Sequence, residues 1–160
     1  VTYTGEYAGL TNLNFPRSGS TDILPLPAGI TDDNPIAPQQ PDMVVGTVFI
    51  NADFTDSVIN GSIVDRSLVG RGTAQPDINL DPATITADGT FLGTVTRSMD
   101  QQNIGTYGGA FGGTQATGVA GAVEIADYLD DIDNEQEYGA FVLTRCGQPG
   151  EGALCASVDP

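Results

Sequence analysis

Val44-Val45-Gly46-Thr47-Val48-Phe49-Ile50-Asn51-Ala52-Asp53-Phe54 and, after Thr55-Asp56-Ser57, Val58-Ile59-Asn60-Gly61-Ser62-Ile63-Val64 decide the fold. In the first run Val44, Gly46, Val48, Ile50, Ala52 and Phe54 form one apolar face, opposed by Thr47, Asn51 and Asp53. In the second, Ile59, Gly61 and Ile63 alternate with Asn60 and Ser62. A period of two is the signature of a strand with one face buried. The same rhythm recurs at 1–10, 90–96, 104–112, 118–126 and 138–145, and a short strand is expected at 83–87 before the Asp88-Gly89 turn. No window of the chain repeats at helical spacing.

Eight short strands joined mainly by hairpins leave a sandwich or an up-and-down barrel. Glycines choose between them. Gly46, Gly61, Gly93, Gly109, Gly121 and Gly139 each interrupt a strand, where glycine normally weakens a sheet. Strongly coiled barrels need such residues where strands bend or pack closely. The expectation is therefore an all-β fold, a small eight-stranded antiparallel up-and-down barrel, in one domain over residues 1–160. Two stretches depart from the rhythm. Residues 11–41 form a long connection carrying Pro16, Pro25, Pro27, Pro35, Pro38 and Pro41, and residues 66–82 read as a second, shorter loop. A connection this long in a compact domain is often functional.

Charge excludes whole classes of partner. Twenty-one acids face five bases, all of them Arg, for a net charge of -16. Such a surface repels phosphate backbones and anionic lipid headgroups, so neither nucleic acid nor an anionic membrane is expected. There is no apolar run long enough for a membrane-spanning helix. Val1-Thr2-Tyr3-Thr4 is strand-like and lacks the features of a leader, and a lipid-anchored mature chain would open on Cys. This disfavours a lipoprotein for the sequence as it stands, with a leader or anchor upstream of Val1 left open. An exported protein at the cell surface or outside the cell is the expectation.

The absence of His removes mechanisms that rely on imidazole, and the absence of Lys removes the phosphate-cradling loop. No enzyme activity is expected. Asp131, Asp133 and Glu135 have the one-three-five spacing of a calcium loop. Gln136 stands where that loop needs Gly, and Val142 where it needs Glu, so the match fails. Two readings stay open: a looser Ca²⁺ site drawn from Asp130, Asp131, Asp133 and Glu135 with loop carbonyls, and a solvated acidic hairpin. Cys146 and Cys155 flank eight Gly- and Pro-rich residues and can close a disulfide over the tail 146–160. A bridge over so short a loop is worth about 2.5–3 kcal/mol in the chain-entropy model. No further Cys and no His exist to complete a tetrahedral metal site instead. A disulfide places the chain in an oxidising compartment.

Several segments together resemble a known family. Ala52-Asp53-Phe54 followed by Val58-Ile59-Asn60-Gly61-Ser62-Ile63, and then Ile85-Thr86-Ala87-Asp88-Gly89-Thr90-Phe91-Leu92-Gly93-Thr94, are similar to successive hairpins of transferrin-binding-protein-like barrels. Gly109-Ala110-Phe111-Gly112-Gly113 through Gly121 is similar to that family's "GxFYGxxAxExGGxF" signature, and Tyr138-Gly139-Ala140-Phe141 to its closing strand. The signature's Tyr is missing, and Thr117 or Gly118 stands in place of its Glu. The resemblance covers residues 42–145. It implies an eight-stranded barrel on exported bacterial proteins, some of them surface lipoproteins that bind host iron or haem carriers through variable loops. Two functions follow as expectations: a surface or secreted protein-binding module, or a self-associating subunit of an extracellular or outer-membrane-associated assembly.

Overall fold

The quoted stretch folds as a hairpin. β2 (Asp42–Asp53) runs antiparallel to β3 (Val58–Leu68), with Val48 opposite Ile63 and Asp53 opposite Val58. Asp53 stabilises the turn by accepting the Thr55 and Asp56 amides at 2.9 and 3.3 Å. The computed structural model describes residues 1–13, 41–70, 72–130 and 135–158. The Pro-rich connection, for residues 14–40, lies outside them.

Seven further strands follow the same logic: β1 (Thr2–Thr11), β4 (Thr73–Ala74), β5 (Ile78–Thr84), β6 (Thr90–Arg97), β7 (Asn103–Gly112), β8 (Gly118–Ala126) and β9 (Gln136–Arg145). All pairings are antiparallel. The order β1-β2-β3-β5-β6-β7-β8-β9 returns to β1, which pairs with both β2 and β9, so eight strands close into a barrel. β4 is a two-residue addition on the end of β3. A 3₁₀ turn, Ala153–Ser157, lies on the outside of β1.

Closure makes one face of every strand interior, which is why the alternation is so regular. Val44, Val48, Ile50, Ile59, Ile63, Ile78, Val95 and the rings of Tyr3, Tyr7 and Tyr107 are buried in one cluster. An eight-stranded barrel has just enough room for its own side chains. Glycine is what lets the tyrosines fit. A Cβ on Gly139 would stand 2.1 Å from the Tyr7 hydroxyl, and one on Gly93 would stand 2.4 Å from the Tyr107 ring.

Three features differ from the sequence reading. The strand expected at 83–87 begins earlier and spans Ile78–Thr84, most of it inside the 66–82 stretch read as a loop, and Ile85 keeps only an isolated bridge to Phe91. Pro76, Asp77, Asp81 and Pro82 disguise it, while Ile78 and Leu80 supply its buried face. β3 likewise continues to Leu68. Phe54, assigned to the apolar face of β2, lies beyond the strand end, is 45% exposed and packs edge-on against Phe111. β5 pairs with β6 only through Ile78, Asn79 and Leu80, so a seam opens beside Pro82. The Tyr107 hydroxyl donates to the Asp81 carbonyl at that seam (2.6 Å) from inside, and Thr94 and Thr96 donate to the Asp81 carboxylate from outside.

Candidate functional site

The up-and-down order gathers the three longest connections, 12–41, 69–77 and 127–135, at the same end. Turns 54–57, 85–89 and 113–117 are tight and close one end of the barrel. The connections 12–41, 69–77, 98–102 and 127–135 all leave from the other end. The tight end is aromatic: Tyr3, Phe54, Phe91 and Phe111 touch ring to ring with centroids 5.0–5.5 Å apart. Beneath the long connections the barrel is charged.

There Arg66 and Glu137, both fully buried, form an ion pair with Nη2 to Oε2 at 2.6 Å. Tyr7 donates its hydroxyl to Glu137 Oε1, also at 2.6 Å. Arg66 Nη1 donates to the Pro76 carbonyl, and the guanidinium lies 5.4 Å from the centre of the Tyr128 ring. Tyr128 and Thr11 share a hydrogen bond between hydroxyls at 3.2 Å. Burial, then the Glu137 charge, pushes the Tyr7 and Tyr128 phenols well above the ordinary range. The pair and its tyrosines fill this end of the interior and anchor the loop that carries Tyr128.

That loop contains the acidic residues singled out from sequence. Asp130 is exposed at its carboxylate and pairs with Arg97 at 2.7 Å. Arg97 is itself buried, is also paired with Asp100 and donates to the Tyr128 carbonyl at 3.1 Å. Glu135 turns inward, where its Oε1 accepts the Leu129 amide at 2.6 Å, and burial raises its carboxyl against the pull of the loop amides. Asp131 and Asp133 lie outside the described residues. Asp130 and Glu135 thus serve different protein partners. Among the described residues, the metal-ligating atoms that converge are those of Cys146, Glu151 and Cys155. The two sulfurs are joined to each other.

The Cys146–Cys155 disulfide is formed as the spacing allows. It fixes the 3₁₀ turn to β1, where Thr4 Oγ1 lies 3.3 Å from the Cys155 sulfur and Glu151 accepts the Gly147 amide at 2.6 Å. The Arg66–Glu137 pair was not among the residues singled out from sequence. Its signal was partly available: Glu137 shares the inward parity of Gly139, Phe141 and Leu143 on β9. Arg66 does not share the parity of Ile63, because β3 is irregular near Asp65, whose φ is +53°.

No family model matches the sequence, and no curated protein matches it. Among solved structures the chain is similar to two crystal structures of the vaccine antigen Transferrin Binding Protein B from Haemophilus parasuis Hp5, one of a double and one of a single mutant. The double mutant is 14% identical with a TM-score of 0.49, over 89% of this chain and 24% of that one. The single mutant is also 14% identical with a TM-score of 0.49, over 90% of this chain and 26% of that one. This chain spans about a quarter of the length of those structures. The barrel assignment itself rests on the strand pairing described above.

Proposed function

We propose that this chain is an exported, non-catalytic binding module that recognises a protein partner with the loops gathered at one end of a filled barrel. The observation that carries the reading is the placement of the connections. The three longest, 12–41, 69–77 and 127–135, leave from one end together with the five-residue 98–102 turn, and a closed barrel packed with its own side chains holds that end. Loops on a rigid scaffold are where recognition is usually placed. The disulfide suits an extracellular or cell-surface location. The motif resemblance makes iron- and haem-carrier proteins the first ligands to test. The alternative, a subunit of an extracellular assembly, is weakened in one respect: among the described residues, closure leaves no long free strand edge for strand addition between subunits.

The test places a photo-crosslinking residue at Val69, exposed in the 69–77 connection, and exposes the protein to native exterior medium. A discrete adduct with another protein, with a monomer by light scattering across a concentration series, supports the binding module. Adducts formed only between copies of this chain, growing with concentration, would replace it with the assembly reading.

A further inference from the structure

The side of the barrel carries a second surface, separate from the loop end. Strand register lines up outward-facing residues across six strands: Leu92 on β6, Gly108 on β7, Ala122 on β8, Ala140 on β9, Ala8 on β1 and Val45 on β2. The neighbouring rows add Ala110, Ala120 and Val142 on one side and Tyr138 and Leu10 on the other. Val142 is 78% exposed, Leu92 75%, Leu10 58% and Tyr138 55%. With strands about 4.8 Å apart, the three rows extend about 25 Å around the barrel and about 15 Å along it, on the order of 400 Å² of mainly apolar surface interrupted by Glu6, Thr106 and Glu124. Patches of that size on a monomer are often functional.

Shape and charge define what fits. Small residues make two shallow grooves: one over Gly108 and Ala122 between Leu92 and Tyr138, the other over Ala8 and Ala140 beside Leu154 of the 3₁₀ turn. Alanine and glycine lose almost no side-chain entropy when covered, so the partner must supply the bulk. The ionisable groups beside the grooves are Glu6, Asp65 and Glu124. Among the described residues, Arg66 and Arg97 are buried in ion pairs, and Arg145 donates to the Gln115 carbonyl at the far rim. A second copy is a poor occupant. Each copy would bring a net charge of -16 against the other.

We propose that the outer face of β6, β7, β8, β9 and β1 docks a basic polypeptide segment, its bulky apolar side chains in the two grooves and its Lys or Arg residues beside Glu6, Asp65 and Glu124. Acidic charge steers the segment in, and the apolar rows hold it.

The test uses a fluorescently labelled amphipathic Leu/Lys peptide, with a Leu/Glu peptide as its counterpart, read by anisotropy at about 0.15 M salt, where long-range charge is screened. The Leu/Lys peptide binds, and the Leu/Glu peptide does not. The Ala122→Asp, Ala140→Asp variant weakens binding by about tenfold or more even though it adds two negative charges. Leu92→Ser with Tyr138→Ser alters only exposed side chains, so folding is not at risk, and it weakens binding to a similar extent. Val69→Ser at the loop end has no effect. Unchanged or tighter binding by the Asp variant would overturn the proposal, because attraction would then be charge alone. Equal binding of the Leu/Glu peptide would overturn the basic partner. Loss of binding only in Val69→Ser would move docking to the loop end, leaving the binding-module reading intact.

Discussion

Removing the Glu137 carboxylate tests how the loop end of the barrel is held. In Glu137→Ala, Arg66 keeps its Pro76 carbonyl but loses the one counter-charge it has among the described residues, in a site where both side chains are fully buried. The Tyr7 hydroxyl loses its acceptor in the same step. Breaking one side of a buried ion pair costs about 3–5 kcal/mol, because the remaining charge stays in a poorly solvating place. In a domain of this size a loss of 1 kcal/mol lowers the melting temperature by about 2–4 °C, so the fall should be roughly 6–20 °C. The double variant Arg66→Met, Glu137→Leu removes both charges and keeps the volume, and should return to within about 1–2 kcal/mol of the parent. Urea unfolding with linear extrapolation measures both. A cost below about 1 kcal/mol for the single variant, or a double variant as unstable as the single, would show that the buried charge pair does not hold the loop end in this way.

Further outcomes follow from packing and ionisation. Gly139→Ala should cost about 1–3 kcal/mol, since its Cβ would collide with a Tyr7 ring held by Glu137. Gly112→Ala, with nothing within 4 Å of its Cβ, should change stability by less than about 0.5 kcal/mol; equal thermal shifts for the two would contradict the account. Replacing Cys146 and Cys155 by Ser should cost no more than about 3 kcal/mol and open the 153–157 turn to proteases while far-ultraviolet dichroism keeps the barrel signal. Loss of that signal at room temperature would show the bridge to be essential to the barrel. Burial raises the Tyr3, Tyr7 and Tyr128 phenols and pushes Tyr107 up to about 12. The unfolded chain sheds these protons near pH ~10 while the folded chain keeps them, so stability should fall as pH rises beyond ~10. Absorbance at the phenolate band should rise together with unfolding; reversible ionisation of all tyrosines near pH ~10 in the folded state would contradict this.

The barrel was legible because closure gives each strand one dry face, and a period of two survives even on β1, where Gly5 and Gly9 alternate with Tyr3 and Tyr7. Val44, Val48 and Ile50 needed no tertiary information to be read as interior. β5 was not legible. Pro82 and Asp81 look like a turn, and they are tolerated because β6 does not pair with that half of the strand. The buried ion pair was hidden by the irregularity near Asp65, which shifts Arg66 to the inward face by breaking the parity of β3. The acidic loop was read from spacing alone. Spacing cannot tell that Asp130 is drawn to Arg97 while Glu135 is drawn to its own loop amides. The outer apolar face escaped notice for a different reason: alanine is a weak strand signal, and only register places Ala8, Ala140 and Ala122 side by side.

Methyl-resolved NMR during titration with the Leu/Lys peptide tests the central claim, that this barrel is filled inside and meets its partners on the outside. The Ala8, Ala122 and Ala140 methyls should shift, with the interior methyls of Val48, Ile59, Ile63 and Ile78 unmoved. Shifts concentrated in those interior methyls would contradict it.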